Sequence, residues 1–317
     1  MKTISVLDTK VASSNLGDGI IMDAVNGILS DIFENDFFIN MPTHDVIGKH
    51  SYNFLKQSDY AFVGGTNLLS SNMFRHNQWK VSLYDSLFIN NITLMGVGWC
   101  KYQGKVNSYT RLLYKRLLAK DVIHSVRDSY TEKMLKSAGI KNVINTACPT
   151  MWGLDEAHCK QIPTEKSDSV VVTFTEYNQN YEYDNKLIEI LDKNYNNIYY
   201  WTQQPHDYEY MKTIGGDRIQ YLSPNIDSLN EVFNNNNVDY IGTRLHAGVR
   251  ALQKKKRTLI LGVDNRATEI SRDTNLPVID RINLQDINTW INSKKSTQIH
   301  LPTEDINSWK KQFANSL

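Results

Sequence analysis

YIGTRLHAGVRAL, Tyr240 to Leu252, is the stretch whose reading decides the fold. The mostly apolar run Val238 to Ile241 reads as a short strand; Gly242 and Thr243 break it, and Ala247, Val249, Ala251 and Leu252 continue at helical spacing. The first turn of such a helix has unpaired N–H groups at the carboxyl end of a strand, where open α/β sheets hold anionic ligands. Arg244 and His246 stand at that opening. Arginine forks two donors at a carboxylate or phosphate, and histidine moves a proton near neutral pH, so the pair reads as an anion site with a proton donor. The ordinary alternative for either residue is a cap or a solvated side chain.

Outward from this unit the same pattern repeats. Ile4 to Leu7, Tyr60 to Val63, Ile92 to Met95, Val122 to Val126 and Val143–Ile144 read as strands of a first half. Val170 to Phe174, Ile198 to Trp201, Ile219 to Leu222, Leu259 to Val263 and a fragment after Pro277 read as strands of a second. Several apolar strands, each followed by a turn and a helical segment, are the sequence form of a doubly wound α/β sheet. The polar run Gln161 to Asp168 reads as a linker, which gives two Rossmann-like domains, residues 1–160 and 161–317. Asp305 to Phe313 reads as a terminal amphipathic helix, an element that in such proteins often crosses back onto the first domain.

Candidate site residues fall at the predicted strand ends. Asn15-Leu16-Gly17-Asp18 precedes a helix carrying Ile20, Ile21, Ala24, Val25 and Ile28; Asp18 reads equally as its N-cap and as a catalytic carboxylate. Gly64-Gly65-Thr66 closes a strand and lets a ligand or another loop approach the backbone. Gly96-Val97-Gly98 does the same, without the spacing of a dinucleotide fingerprint. Arg127 is delivered at the end of Val122 to Val126, before the capping box Ser129-x-x-Glu132; its alternative is a surface ion pair with Asp128 or Glu132. Arg266, after Leu259 to Val263, is a third candidate cation.

Composition excludes several classes. With 317 residues, 41% hydrophobic, 22% charged and a net charge of +1, the chain reads as a globular protein without the basic excess of a nucleic-acid binder. The run Lys254 to Arg257 reads as a solvated turn. No stretch reaches the roughly 20 apolar residues of a membrane span, and the N-terminus lacks the pattern of a signal peptide. Cys100, Cys148 and Cys159 are scattered, which points to a reducing cytoplasm, and the histidines lack the spacing of a metal site.

NLGD at Asn15 to Asp18, VGGTNLL at Val63 to Leu69, MGVGW at Met95 to Trp99, SVRD at Ser125 to Asp128 and GTRLHA at Gly242 to Ala247 resemble, in order, the signatures of the polysaccharide pyruvyl transferase family. The resemblance implies a GT-B-like fold of two domains facing a cleft. It implies transfer of pyruvate from phosphoenolpyruvate to two hydroxyls of a sugar, giving a cyclic ketal and phosphate, in cell-surface or exopolysaccharide biosynthesis. Arg127 and Arg244 become donor-binding arginines and His246 the functional histidine, with Asp18 as base; Asn15, Gly64, Gly65, Thr66 and Arg266 would line the substrate site. No cofactor beyond the donor phosphoenolpyruvate is implied. The acceptor is a sugar or polysaccharide repeat, free or carried on a lipid or nucleotide, met in the cytoplasm or at the inner face of the membrane. Two positions depart from many relatives: Thr66 where a third glycine is usual, and Asn265-Arg266 where a lysine is. The rival readings are a GT-B glycosyltransferase using a nucleotide sugar and a glycan-binding relative without activity.

Overall fold

Strands of three to six residues alternate with helices in the computed structural model, which describes residues 1–76, 78–216 and 218–314. By its contacts the chain divides into one unit of Met1–Ser13, Ile21–Trp152 and Leu301–Leu317, and a second of Ser14–Ile20 and Gly153–His300. The change of unit falls at Trp152, upstream of the polar run at 161–168, and the first turn of the helix Leu16–Ile32 groups with the second unit.

The first unit holds β1 (Thr3–Asp8), β2 (Phe37–Pro42), β3 (Tyr60–Gly64), β4 (Ile92–Met95), β5 (His124–Val126) and β6 (Val143–Asn145). β2-β1-β3-β4 form one parallel sheet and β5-β6 pair in parallel beside it. β4 is tied to β5 by the Gly96 N–H donating to Ser125 O at 3.0 Å and the Arg127 N–H donating to Val97 O at 3.3 Å. Strand order therefore reverses between β1 and β3, which puts the ligand-binding crevice of such a sheet at their carboxyl ends, Asp8 and Gly64. The helix Thr303–Ala314 completes this unit's core: Trp309 and Phe313 are buried, their rings 6.0 and 5.1 Å from that of Phe62, with Trp152 5.6 Å from Trp309.

Between β4 and β5 a side chain stands in for backbone. The Leu94 N–H donates to His124 Nδ1 at 3.2 Å, so the ring proton sits on Nε2, which donates to Ala119 O at 2.9 Å. Burial lowers the His124 pKa to about 4, against a smaller upward push from the Ala119 bond. Unfolding restores an ordinary imidazole near 6.5, so the unfolded chain takes up the proton first. His124 then contributes stability that is fully present above about pH 6.5 and is lost as pH falls toward 4, up to about 3 kcal/mol. Urea midpoints measured from about pH 7 to 4.5 should fall more steeply for the wild type than for His124→Gln; parallel slopes would contradict the assignment.

The second unit carries β7 (Ser169–Thr173), β8 (Asn197–Trp201), β9 (Ile219–Leu222), β10 (Val238–Gly242), β11 (Thr258–Gly262) and β12 (Val278–Asp280), all parallel in the order β12-β11-β10-β7-β8-β9. Counted from β7 this is the 3-2-1-4-5-6 order of a Rossmann sheet, and its reversal lies between β7 and β10. The buried aliphatic face Val170, Val172, Ile241, Leu259 and Leu261 packs on Leu187, Leu191, Ile287 and Ile291 from the covering helices.

Three readings of the sequence change here. The helix predicted to start after an Asp18 cap begins at Leu16: Asn15 precedes it, its Oδ1 accepting the Gly17 N–H at 3.0 Å, and Asp18 lies inside the first turn. The cap of the helix Ser129–Ala138 is Asp128, which accepts the Thr131 N–H at 2.7 Å, in place of the Ser129 box. The solvated turn ends before Arg257, which is 1% exposed and paired with Asp239. Among the described residues no helix is long and apolar enough to cross a membrane.

Candidate active site

β10 ends at Gly242 at the reversal of the second sheet, and the next helix, Leu245–Gln253, starts three residues later. The turn between them is stitched to β7. The Thr243 N–H donates to Thr173 O at 2.9 Å, the Arg244 N–H to Thr173 Oγ1 at 3.3 Å, and the Tyr240 hydroxyl to Arg244 O at 2.7 Å. Arg244 and His246 are 3% and 7% exposed, so the solvated alternative does not hold for either.

Arg244 is locked before any ligand arrives. Its Nε donates to Asp207 Oδ2 at 3.0 Å, its Nη2 to Asp207 Oδ1 and to Gln204 Oε1 at 2.7 Å. Asp207 is itself buried, and its carboxylate also accepts the N–H groups of Glu176 and Gln204. A bidentate carboxylate fixes the guanidinium plane and balances its charge. Among the described residues Nη1 makes no hydrogen bond, so one edge of the fork has no protein acceptor.

Tyr177 lies between two cations. The Arg244 and Arg266 guanidinium carbons stand 5.1 and 5.5 Å from its ring centre, and its hydroxyl meets Asp264 at 3.1 Å and Arg266 Nη2. Arg266 also pairs with Asp264 through Nε at 2.9 Å. Burial pushes the Asp264 carboxyl up, but the charge and hydrogen bonds of Arg266, with the Tyr177 hydroxyl, outweigh it and hold the group below the ordinary aspartate range. Arg266 is thus a cation neutralised by its own helix cap, since Asp264 also caps the helix Asn265–Thr274.

Arg127 belongs to the first unit. It is 1% exposed, with Nε on Asp128 Oδ2 at 3.1 Å and Nη2 near Trp99 O at 3.4 Å; Nη1 again makes no hydrogen bond among the described residues. The pair with Asp128 proposed as a surface alternative exists, but it is buried. Gly98 explains the second glycine of MGVGW: a Cβ there would stand 2.2 Å from Arg127 Cζ. Gly98→Ala should cost about 1–3 kcal/mol of stability through overpacking. Gly104→Ala, where a Cβ meets nothing within 4 Å, is the control, and equal urea midpoints for both variants would count against this reading.

The other expected residues are placed as follows. The Cβ positions of Gly64 and Gly65 are filled by Val25 and Ile21, so these glycines let the helix Leu16–Ile32 pack closely on the end of β3. Thr66 is left-handed at φ 50°, and its carbonyl accepts the Gly98 N–H at 2.8 Å. Asn15 and Asp18 group with Arg244, His246 and Arg266 in the second unit, whereas Gly64, Gly65, Thr66 and Arg127 lie in the first. Sequence reasoning missed Asp207 and Tyr177. Gln204-Pro205-x-Asp207 was the available signal for the first, a capping box with proline at its first helical position.

A four-stranded and a six-stranded parallel sheet, each with its reversal point occupied by buried arginine or close-packed glycine, define an α/β protein of two Rossmann-like units, GT-B-like in kind. The fold is shared with a putative UDP-N-acetylglucosamine 2-epimerase from Listeria monocytogenes at a TM-score of 0.55 and 10% identity, over 100% of this chain and 97% of that one. UDP-N-acetylglucosamine 2-epimerase from Rickettsia bellii matches at 0.53 and 11%, over 99% and 95%. At such identities the likeness is one of fold. No curated protein matches in sequence. The chain belongs to the polysaccharide pyruvyl transferase family, whose model matches residues 15–265.

Proposed function

We propose that the protein transfers pyruvate from phosphoenolpyruvate to two hydroxyls of a sugar acceptor, forming a cyclic ketal and releasing phosphate. The observation that carries this reading is the unit Arg244–His246: a guanidinium clamped with one edge open, and an imidazole two residues on, at the reversal point of a Rossmann sheet. A small donor with a phosphate and a carboxylate suits fixed arginine forks, and we assign Arg244 and Arg127 to it.

The chemistry follows from the donor. His246 delivers a proton to the methylene carbon, which becomes a methyl group, and the oxocarbenium-like carbon left behind is attacked by the first hydroxyl. Loss of phosphate then opens the same carbon to the second hydroxyl. Of the two hydroxyl protons one restores His246 and one leaves with phosphate; Asp18 is assigned as the base that takes a proton from the attacking hydroxyl and passes it on, ending unchanged. The donor carries its own leaving group, and the reaction calls for no redox or metal cofactor. Asn15 and Arg266 are assigned to the acceptor and donor surroundings, with Gly64, Gly65 and Thr66 supplying backbone at the first sheet's reversal. A sugar repeat, carried on a lipid or a nucleotide, is the acceptor, and the cytoplasm or the inner membrane face is where it would be met.

The test is phosphate release from phosphoenolpyruvate with a panel of free, lipid-linked and nucleotide-linked sugars, comparing wild type with Arg244→Lys. Lysine keeps the charge against Asp207 but loses the fork. Acceptor-dependent release, reduced about tenfold to a few hundredfold in the variant, is expected. Absence of both binding and turnover of phosphoenolpyruvate would overturn the reading in favour of a nucleotide-sugar donor.

A further inference from the structure

A cavity of the second unit opens at the carboxyl ends of β8 and β9, beside the start of the helix Pro205–Ile214. It has a volume of 740 Å³, within the range of small-molecule sites. Leu16, Tyr208, Leu222 and Pro224 give it an apolar wall, and Gln203 and Gln204 bring two amides to it.

The amides are complementary. Gln203 is 4% exposed; its Nε2 donates to Asn15 Oδ1 at 2.8 Å, which fixes the amide's orientation, and its Oε1 is buried without a partner. Such an acceptor is costly unless something donates to it. Gln204 is reversed: its Oε1 is taken by Arg244, and its Nε2 makes no hydrogen bond among the described residues. An unpaired acceptor on one amide and an unpaired donor on the other suit the hydroxyls of a sugar, each of which can donate or accept. None of the described lining residues is Lys, Arg or His, and Glu209 is acidic, so the wall offers a phosphate or carboxylate no positively charged side chain. Tyr208 is 38% exposed, with Lys212 Nζ 4.1 Å from its ring centre, and it offers aromatic surface to the C–H face of a sugar ring.

We propose that this cavity is the subsite for a neutral sugar ring of the acceptor, with Gln203 Oε1 as acceptor and Gln204 Nε2 as donor for its hydroxyls. Gln204 links the subsite to the guanidinium of Arg244. The word acceptor rests on the pyruvyl-transfer reading; the affinity for a neutral sugar does not.

The experiment is saturation-transfer NMR of the full chain with methyl glucoside, galactoside, mannoside and N-acetylglucosaminide, with uridine and inorganic phosphate as controls. At least one glycoside should bind, and Tyr208→Ala and Gln203→Leu should each weaken it about tenfold. In turnover the same variants should raise the acceptor KM about tenfold and leave the phosphoenolpyruvate KM within about twofold. Tyr208 is exposed enough that its variant folds even where Gln203→Leu does not. No glycoside binding, binding unchanged in Tyr208→Ala, or displacement by uridine would each overturn the assignment. Variant-sensitive glycoside binding without phosphoenolpyruvate turnover would keep the subsite and remove the pyruvyl-transfer reading; turnover with unaltered acceptor KM would do the reverse.

Discussion

Alanine in place of Arg257 should destabilise the second unit by about 3–5 kcal/mol. The guanidinium is 1% exposed, donates to Asp239 at 2.8 Å and to the carbonyls of Trp290, Ile291 and Ser293 at 2.5–3.2 Å, and lies 3.8 Å from the Trp290 ring centre. Burial already raises the Asp239 carboxyl above its ordinary range, with Arg257 and the Tyr195 hydroxyl opposing. Removing the cation leaves a buried carboxylate and three carbonyls at the end of the helix Leu284–Ile291, where a positive charge is favoured. Urea unfolding followed by tryptophan fluorescence measures the loss. Replacing both partners, Asp239→Leu with Arg257→Met, should recover only the part due to the unpaired carboxylate, because the three carbonyls, the Tyr195 hydroxyl and the Ser167 N–H remain without their partners. A single Arg257→Ala variant within about 1 kcal/mol of wild type would show that the pair carries no such weight.

Glutamine in place of His246 should lower kcat by about 10²–10⁴-fold and leave the phosphoenolpyruvate KM nearly unchanged. Glutamine can fill the space at the start of the helix Leu245–Gln253 and hydrogen-bond, but it cannot deliver a proton to carbon. A matched urea midpoint would separate lost chemistry from lost folding. Turnover within about threefold of wild type would remove His246 from the proton transfer.

The strands buried on both faces were legible because short, mostly apolar runs bounded by turn residues are their ordinary sequence form: Tyr60 to Val63, Val170 to Phe174 and Val238 to Ile241 fall where expected. β2 was not, since it is an edge strand with Phe37 and Asn40 exposed and so lacks a continuous apolar pattern. Caps were displaced by one to three residues at Asn15 and Asp128, where adjacent polar side chains compete for the same N–H groups. Arg257 read as the last of four cations, and nothing local announces that its partner lies eighteen residues earlier, on the neighbouring strand. Arg244 and His246 could be placed from local pattern. Asp207, thirty-seven residues upstream, reaches Arg244 through the packing of the folded unit.

The helix Thr303–Ala314 also orders events in time. Trp309 and Phe313 close the aromatic cluster of Phe33, Tyr60 and Phe62, yet they are translated only after the whole segment Gly153–His300. At ordinary elongation rates the interval is on the order of ten seconds. For that time the nascent first unit presents an open aromatic face, while its successor already has the segment needed for its own sheet. A hydrophobic surface of that kind is what ribosome-associated chaperones hold, and a stop codon before Trp309 would leave it permanently exposed.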